Sequence, residues 1–276
     1  MPSVNRHPLA EEPIEQEIVQ QETVRQVTAH PTKVSSRALV IAIDGPAGVG
    51  KTELSVLLAN ALGYLYLDTG AIYRAVTLAA LEHRIPLDNA SALGRLAEDL
   101  GLQVLPAPTS AQSAGSGELD RCTVARPYTV LIGGLDVTAR LFTAEIDASV
   151  SRVAAQPRVR EAVLPIQRRF ARTKAVVAGR DIGTVVLPNA DLKIYLDASA
   201  EVRARRRSAQ LTARSQVADY AVVLAEIRRR DRADSEREVA PLRVASDAVV
   251  INTDELTIEA ELALLIRLAE GRSVAS

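Results

Sequence analysis

Gly45-Pro46-Ala47-Gly48-Val49-Gly50-Lys51-Thr52 follows the apolar run Ala38 to Ile43 and precedes Leu54 to Leu62, where leucines recur at helical spacing. The β-branched run predicts a buried parallel strand, and Leu54, Leu57, Leu58 and Leu62 predict a helix. Between them the octet fits G-x-x-x-x-G-K-[ST] in the strand–loop–helix setting that a P-loop requires. Its glycines let backbone N–H groups turn inward on one anion, and the helix start adds roughly half a positive charge. On this reading Lys51 reaches the β- and γ-phosphates of a nucleoside triphosphate, and Thr52 offers its hydroxyl to Mg²⁺. The plainer alternative is a glycine-rich turn without a ligand, and the flanking strand and helix argue against it.

Outward from the octet, short apolar runs alternate with helical segments: Leu39 to Ile43, Tyr64 to Leu67, Ala175 to Ala178, Leu192 to Leu196 and Ala248 to Ile251. This alternation predicts an α/β fold built on a doubly wound five-stranded parallel sheet. Residues 1–37, rich in Glu, Gln, Pro and Thr, read as a mobile N-terminal tail with room for a short helix from Ile14 to Val27. Residues 38–84 and 151–276 then form the core, and 85–150 an inserted subdomain. Within the insert, Pro106 to Gly117 marks a mobile loop expected over 106–126, while Tyr128 to Ile132, Gly133-Gly134 and Leu135 to Val137 read as a hairpin. The insert is expected to wall a second substrate; a surface excursion is the alternative. Arg203 to Arg214 and Gln216 to Arg232 read as two helices, with a lid at about 203–216.

Composition narrows the function classes. The chain has 276 residues, 47% of them hydrophobic, which supplies a substantial core. With 3% aromatic residues, no Trp and a net charge of −1, it lacks both the stacking platforms and the overall charge that nucleic-acid polymers select. Cys122 is the only cysteine, and His7, His30 and His83 are scattered, so neither a disulfide framework nor a histidine metal site is indicated. No apolar stretch approaches the roughly 20 residues that span a bilayer. The first residues lack a basic region followed by an apolar core, so no secretory signal is read and a cytoplasmic location is expected.

Two further segments follow predicted strands and should emerge on the ligand-binding edge: Asp68-Thr69-Gly70-Ala71-Ile72-Tyr73-Arg74 and Gly179-Arg180-Asp181-Ile182-Gly183. Arg203, Arg206 and Arg207 stand at i, i+3 and i+4, and Arg230, Asp234 and Arg237 at i, i+4 and i+7. Each set falls on one face of a helix, either turned to a small anion or solvated and paired along the helix.

Together, Gly45 to Thr52, Asp68 to Arg74, Gly179-Arg180-Asp181-Ile182-Gly183-Thr184-Val185-Val186 and Arg230-Asp231 through Val239-Ala240-Pro241-Leu242 resemble bacterial cytidylate kinases, P-loop nucleoside monophosphate kinases, in order and spacing. The resemblance covers roughly Leu39 to Gly271. It implies a P-loop kinase core, an inserted monophosphate-binding subdomain and a helical lid. The implied activity is transfer of the γ-phosphoryl of ATP to CMP, and to dCMP, by a cytoplasmic monomer using Mg²⁺. It implies that Gly45, Pro46, Ala47, Gly48, Val49, Gly50, Lys51 and Thr52 hold ATP with Arg203 and Arg207, and that Thr52 binds Mg²⁺. Lys51, Arg74, Arg180, Arg237 and Arg206 would serve transfer. Thr69, Arg74, Ser151, Arg160, Arg180, Asp181, Arg230, Asp234 and Arg237 would bind CMP, with Ser151 and Arg160 reading cytosine and Arg230 and Asp234 the ribose.

The sequence also departs from that family. Where a carboxylate usually precedes Gly-Arg-Asp there is Ala178, where an arginine usually precedes Thr143 there is Phe142, and Arg232 stands where an acid is frequent. Loss of the carboxylate leaves open a second reading, a nucleotide-binding protein on the same scaffold with weak or lost turnover. A GTPase switch is disfavoured, because Asn252-Thr253-Asp254 does not supply the guanine-reading N-K-x-D pattern.

Overall fold

The computed structural model describes residues 38–106, 127–171, 174–213 and 218–274. Chain order opens with β1 (Val40–Asp44), α1 (Lys51–Leu62), β2 (Leu65–Asp68) and α2 (Thr69–Glu82). Then come α3 (Ala90–Asp99), β3 (Gln103–Pro106), β4 (Tyr128–Ile132), β5 (Leu135–Asp136), α4 (Ala144–Ala154) and α5 (Pro157–Phe170). The remainder is β6 (Ala175–Ala178), β7 (Leu192–Asp197), α6 (Ala200–Ala213), α7 (Tyr220–Glu236), β8 (Val249–Asn252) and α8 (Ile258–Val274).

β1, β2, β6, β7 and β8 form one parallel sheet in the order β2-β6-β1-β7-β8, as the alternating pattern predicts. β6 is buried throughout and β1 nearly so. Their continuous apolar runs suit strands covered on both faces, where alternation would bury polar side chains. The chain winds from β1 outward to β2, returns to β6, and then crosses to β7 on the other side of β1. Winding therefore reverses at β1, and ligands of such sheets bind beyond the carboxyl ends of the strands at the reversal. Register pairs Ile43 and Asp68 each with Ala178, so the segments after β1, β2 and β6 leave the sheet side by side.

β3, β4 and β5 form a separate antiparallel sheet. Gly133 and Gly134, at φ 55° and 84°, make the two-residue turn between β4 and β5 that positive φ at both positions favours. The expected boundary at residue 150 falls inside α4, a continuous helix whose start is capped by Thr143 Oγ1 accepting from the Ile146 N–H at 3.3 Å. Insert and core thus share a helix with no break at that point. α7 ends at Glu236, and Arg237 is already extended at φ −62° and ψ 141°, so it is not a third member of one helical face. α6 and α7 start at Ala200 and Tyr220 rather than Arg203 and Gln216. Residues 214–216 of the expected lid, the whole tail with its Ile14 to Val27 helix, and 107–126 of the expected loop lie outside the described residues; Pro106 closes β3.

Candidate active site

The P-loop begins where β1 meets β7. Gly45 has φ 149°, and a Cβ there would lie 2.2 Å from the Leu196 carbonyl oxygen, so no larger residue fits. Gly50 caps α1, placing Lys51 and Thr52 in its first turn. Lys51 is buried, and its Nζ donates to the Gly45 and Pro46 carbonyls at 2.6 and 2.7 Å. Burial, and then the charge of Arg180, hold its ammonium well below the usual lysine range. Two cations sharing a poorly solvated place favour an anion between them.

Asp44, the last residue of β1, accepts the Ile182 and Gly183 N–H groups at 2.8 and 2.7 Å. These bonds tie the strand that carries the P-loop to the π-type turn Ile182–Val186 that follows Gly179-Arg180-Asp181. Burial raises the Asp44 carboxyl from 3.8 to about 6, against the pull of the two N–H donors and Lys51. The fold therefore prefers the neutral acid. Its stabilising contribution is complete below the unfolded value and is lost as pH rises through the folded value, a change of about 3 kcal/mol. In denaturant titrations, the stability of the wild type relative to Asp44→Asn is expected to fall between about pH 4 and pH 7. A difference independent of pH would exclude the shifted carboxyl.

Thr69 Oγ1 donates to the Ala178 carbonyl at 3.0 Å, fastening the start of α2 to the end of β6. Asp68 caps α2 by accepting the Gly70 N–H at 2.9 Å. Asp181 lies between Arg160 Nη2 and, at 3.3 Å, Arg237 Nη2, with all three side chains only 6–7% exposed. Arg160 also donates to the Ala154 carbonyl at 3.0 Å and lies 5.3 Å over the Tyr73 ring. Ser151 is three residues earlier on α4, partly buried. Arg237 Nε donates to the Ala240 carbonyl at 2.5 Å; burial, then Arg160, push its guanidinium below the usual range.

Arg180 Nε donates to Asp234 at 2.8 Å. Burial pushes Asp234 up, but Arg180, then Arg237 and Arg230, outweigh it and hold the carboxyl below the ordinary range. Arg230 Nε is buried without a hydrogen-bond partner, and burial followed by Arg180 pushes its guanidinium down. Arg180 is thus tied to α7 through Asp234, and its charge acts on both Lys51 and Arg230. Arg74 faces the insert: Nη2 pairs with Asp147 at 2.5 Å, Nη1 donates to the Leu141 carbonyl at 3.2 Å, and the guanidinium lies 4.9 Å from the Phe142 ring centre.

The arginines of α6 separate. Arg203 is buried, donates to the Ala47 carbonyl at 3.0 Å and grips Asp231 through Nη1 and Nη2 at 3.0 and 2.7 Å. It therefore braces the P-loop against α7. Arg206 binds Thr253, through Oγ1 at 3.1 Å and through its carbonyl, and Arg207 donates to Gln210 at 2.6 Å. Positions i+3 and i+4 lie to either side of i, about 100° apart, so α6 directs the three side chains to different partners. Arg206 is not brought to the group formed around Lys51, Arg180 and Asp234. Sequence reasoning missed Tyr73, Asp147 and Asp231: Tyr73 and Asp231 stand inside quoted segments, but nothing local marks Asp147 or Asp231 as the partner of a distant arginine.

Among the described residues, no helix is long and apolar enough to cross a membrane, and no group of three or more His, Cys, Asp or Glu side chains could hold a metal. Residues 41–270 match the family model described as Cytidylate kinase. A protein of Exiguobacterium sp. named cytidylate kinase is 44% identical over 235 residues, covering 85% of this chain and 97% of its own. Cytidylate kinases of Herpetosiphon aurantiacus and Mycobacterium avium are 48% and 46% identical over 215 and 224 residues, covering 78% and 80% of this chain and 86% and 91% of their own.

Proposed function

The chain belongs to the cytidylate kinase family, and we propose that this site transfers the γ-phosphoryl group of ATP to the phosphate of CMP, and to that of dCMP, giving ADP and CDP or dCDP. The observation that carries the reading is the meeting, at one sheet edge, of the P-loop with Thr69 and Arg180 from the segments after β2 and β6. A donor cradle beside a set of arginines is what two mutually repelling phosphates need.

The acceptor oxygen of CMP is already ionised near neutral pH, so no general base is required. The residues position and neutralise. Lys51 meets the donor phosphates, while Arg74, Arg180 and Arg237 hold the acceptor phosphate, since the planar guanidinium binds phosphate oxygens at two points. Cytosine offers acceptors at O2 and N3 and a donor at N4. Ser151 and Arg160 supply donors and Asp181 an acceptor, a pattern that uracil reverses at N3 and at position 4. Arg230 and Asp234 take the ribose. Arg206 and Arg207 act from α6 on ATP, with Arg206 leaving Thr253 as the lid closes and excludes water. We place the reaction in the cytoplasm and assign a monomer. Formation of ADP and CDP in equal amounts from ATP and CMP tests the reading; ADP formed at the same rate without CMP contradicts it.

Mg²⁺ fits the residues present through the Thr52 hydroxyl, with nucleotide oxygens and water as the remaining hard ligands. When bound it supplies positive charge at the donor phosphates. Ala178 is buried, and its carbonyl is taken by Thr69. Asp181 and Asp44, the two carboxylates that follow and precede the loops here, are engaged, Asp181 by two arginines and Asp44 by two amides. Ala178→Asp is therefore expected to lower the Mg²⁺ concentration for half-maximal rate by several-fold. Unchanged Mg²⁺ dependence would show that the methyl group costs nothing. A binding protein without turnover is disfavoured, because it has no need for Lys51 beside so many acceptor-side arginines.

A further inference from the structure

Among the described residues, the hydrogen bonds, ion pair and ring contact of the Arg74 guanidinium are all with the insert: the Leu141 carbonyl at 3.2 Å, the Phe142 ring at 4.9 Å and the Asp147 carboxylate at 2.5 Å. α2 carries the arginine, but α4 and the turn before it determine where its guanidinium lies. We propose that Asp147 is the positioning residue for Arg74, orienting it toward the acceptor phosphate, with Phe142 as the platform beneath. The proposal rests on the assignment of CMP as acceptor.

The geometry leaves work for Arg74 to do. Asp147 and Leu141 occupy Nη2 and Nη1, one hydrogen bond each, of a group with five donors. The remaining N–H groups have no hydrogen-bond partner among the described residues and can turn to a phosphate, on a guanidinium whose plane is already set by two hydrogen bonds and an aromatic face. Such preorganisation lowers the ordering cost of binding. Asp147 is 35% exposed and Arg74 only 15%, so the carboxylate approaches from the solvent side and is not a core strut. Asp147 also acts on Arg230 across the site, where its charge favours the guanidinium that burial disfavours. Phe142 stands where the family usually has a cation. The aromatic face attracts the Arg74 charge, whereas a cation would repel it.

Calorimetric titration of CMP into the full chain tests this without turnover. Asp147→Asn is expected to weaken CMP binding about tenfold, or about 1.4 kcal/mol, leaving thermal stability and ATP binding unchanged. In an Arg74→Ala background the same substitution should change CMP affinity less than about twofold, because the hydrogen-bonded route to the ligand through Arg74 is gone and only the weaker action of its charge on Arg230 is left. Asp147→Glu should recover part of the loss. Unchanged or tighter binding by Asp147→Asn, or equal weakening in both backgrounds, overturns the proposal. Failure of the wild type to bind CMP would instead overturn the acceptor assignment, so the two failures are distinguishable.

Discussion

Lys51→Ala is expected to lower ATP-dependent phosphorylation of CMP by at least about a thousandfold, on the scale of removing a principal charge contact to a transferring phosphoryl group. The side chain is buried at the head of α1, with its Nζ shared between the Gly45 and Pro46 carbonyls at 2.6 and 2.7 Å. In that position it costs the fold desolvation, which is why its ammonium is held so far below the usual range. Removing it relieves that cost while giving up two loop hydrogen bonds, so the melting temperature should change little. Turnover and thermal unfolding, measured on the same preparation, separate the effects. Preserved turnover would mean that the P-loop is not the donor site.

Asp181→Ala should act on the fold as strongly as on the reaction. The carboxylate neutralises Arg160 and Arg237, both nearly inaccessible to solvent, and its removal leaves two buried guanidinium groups facing each other. Breaking a buried ion pair by deleting one partner costs about 3–5 kcal/mol. For a chain of this size the unfolding midpoint should drop by roughly 10 °C. Asp181→Asn keeps an acceptor oxygen but not the charge, so its midpoint should fall between those of Asp181→Ala and wild type. Bound CMP should raise the midpoint less for either variant than for wild type, since both lack the carboxylate charge and Asp181→Ala also lacks the acceptor for the cytosine amino group. An unchanged midpoint in Asp181→Ala would show that the two arginines find other partners.

Local chemistry made much of the fold legible. Short apolar runs located the five parallel strands to within about a residue, and Ala175–Ala178 was read with its observed bounds, because buried parallel strands are continuously apolar. The hairpin carried its own signal in Gly133-Gly134. The end of the insert carried none, since α4 keeps helical periodicity through residue 150. Arg237 shows the same limit, where spacing suggested a helical face but the backbone turns extended one residue after α7.

Side-chain partners at the site were less legible than the segments bearing them. The pairing of Arg160 and Arg237 on Asp181, and of Arg74 with Asp147, joins residues 21, 56 and 73 positions apart, which periodicity does not register. Arg203, Arg206 and Arg207 looked equivalent on a helix face, yet Ala47, Thr253 and Gln210 draw them apart. The departure at Phe142 was visible, but its consequence depended on the position of Arg74.

The central claim is that this edge of the sheet pairs an ATP cradle with a site shaped for cytosine. Its most direct test is initial-rate measurement of Mg²⁺-dependent ADP formation from ATP with CMP, dCMP, UMP, AMP and GMP as acceptors at equal concentration. Rates with CMP and dCMP are expected to exceed those with UMP, AMP and GMP by at least about a hundredfold, because a site built to hydrogen-bond one base edge leaves buried polar groups unpaired against another. Equal rates across the panel would contradict the account.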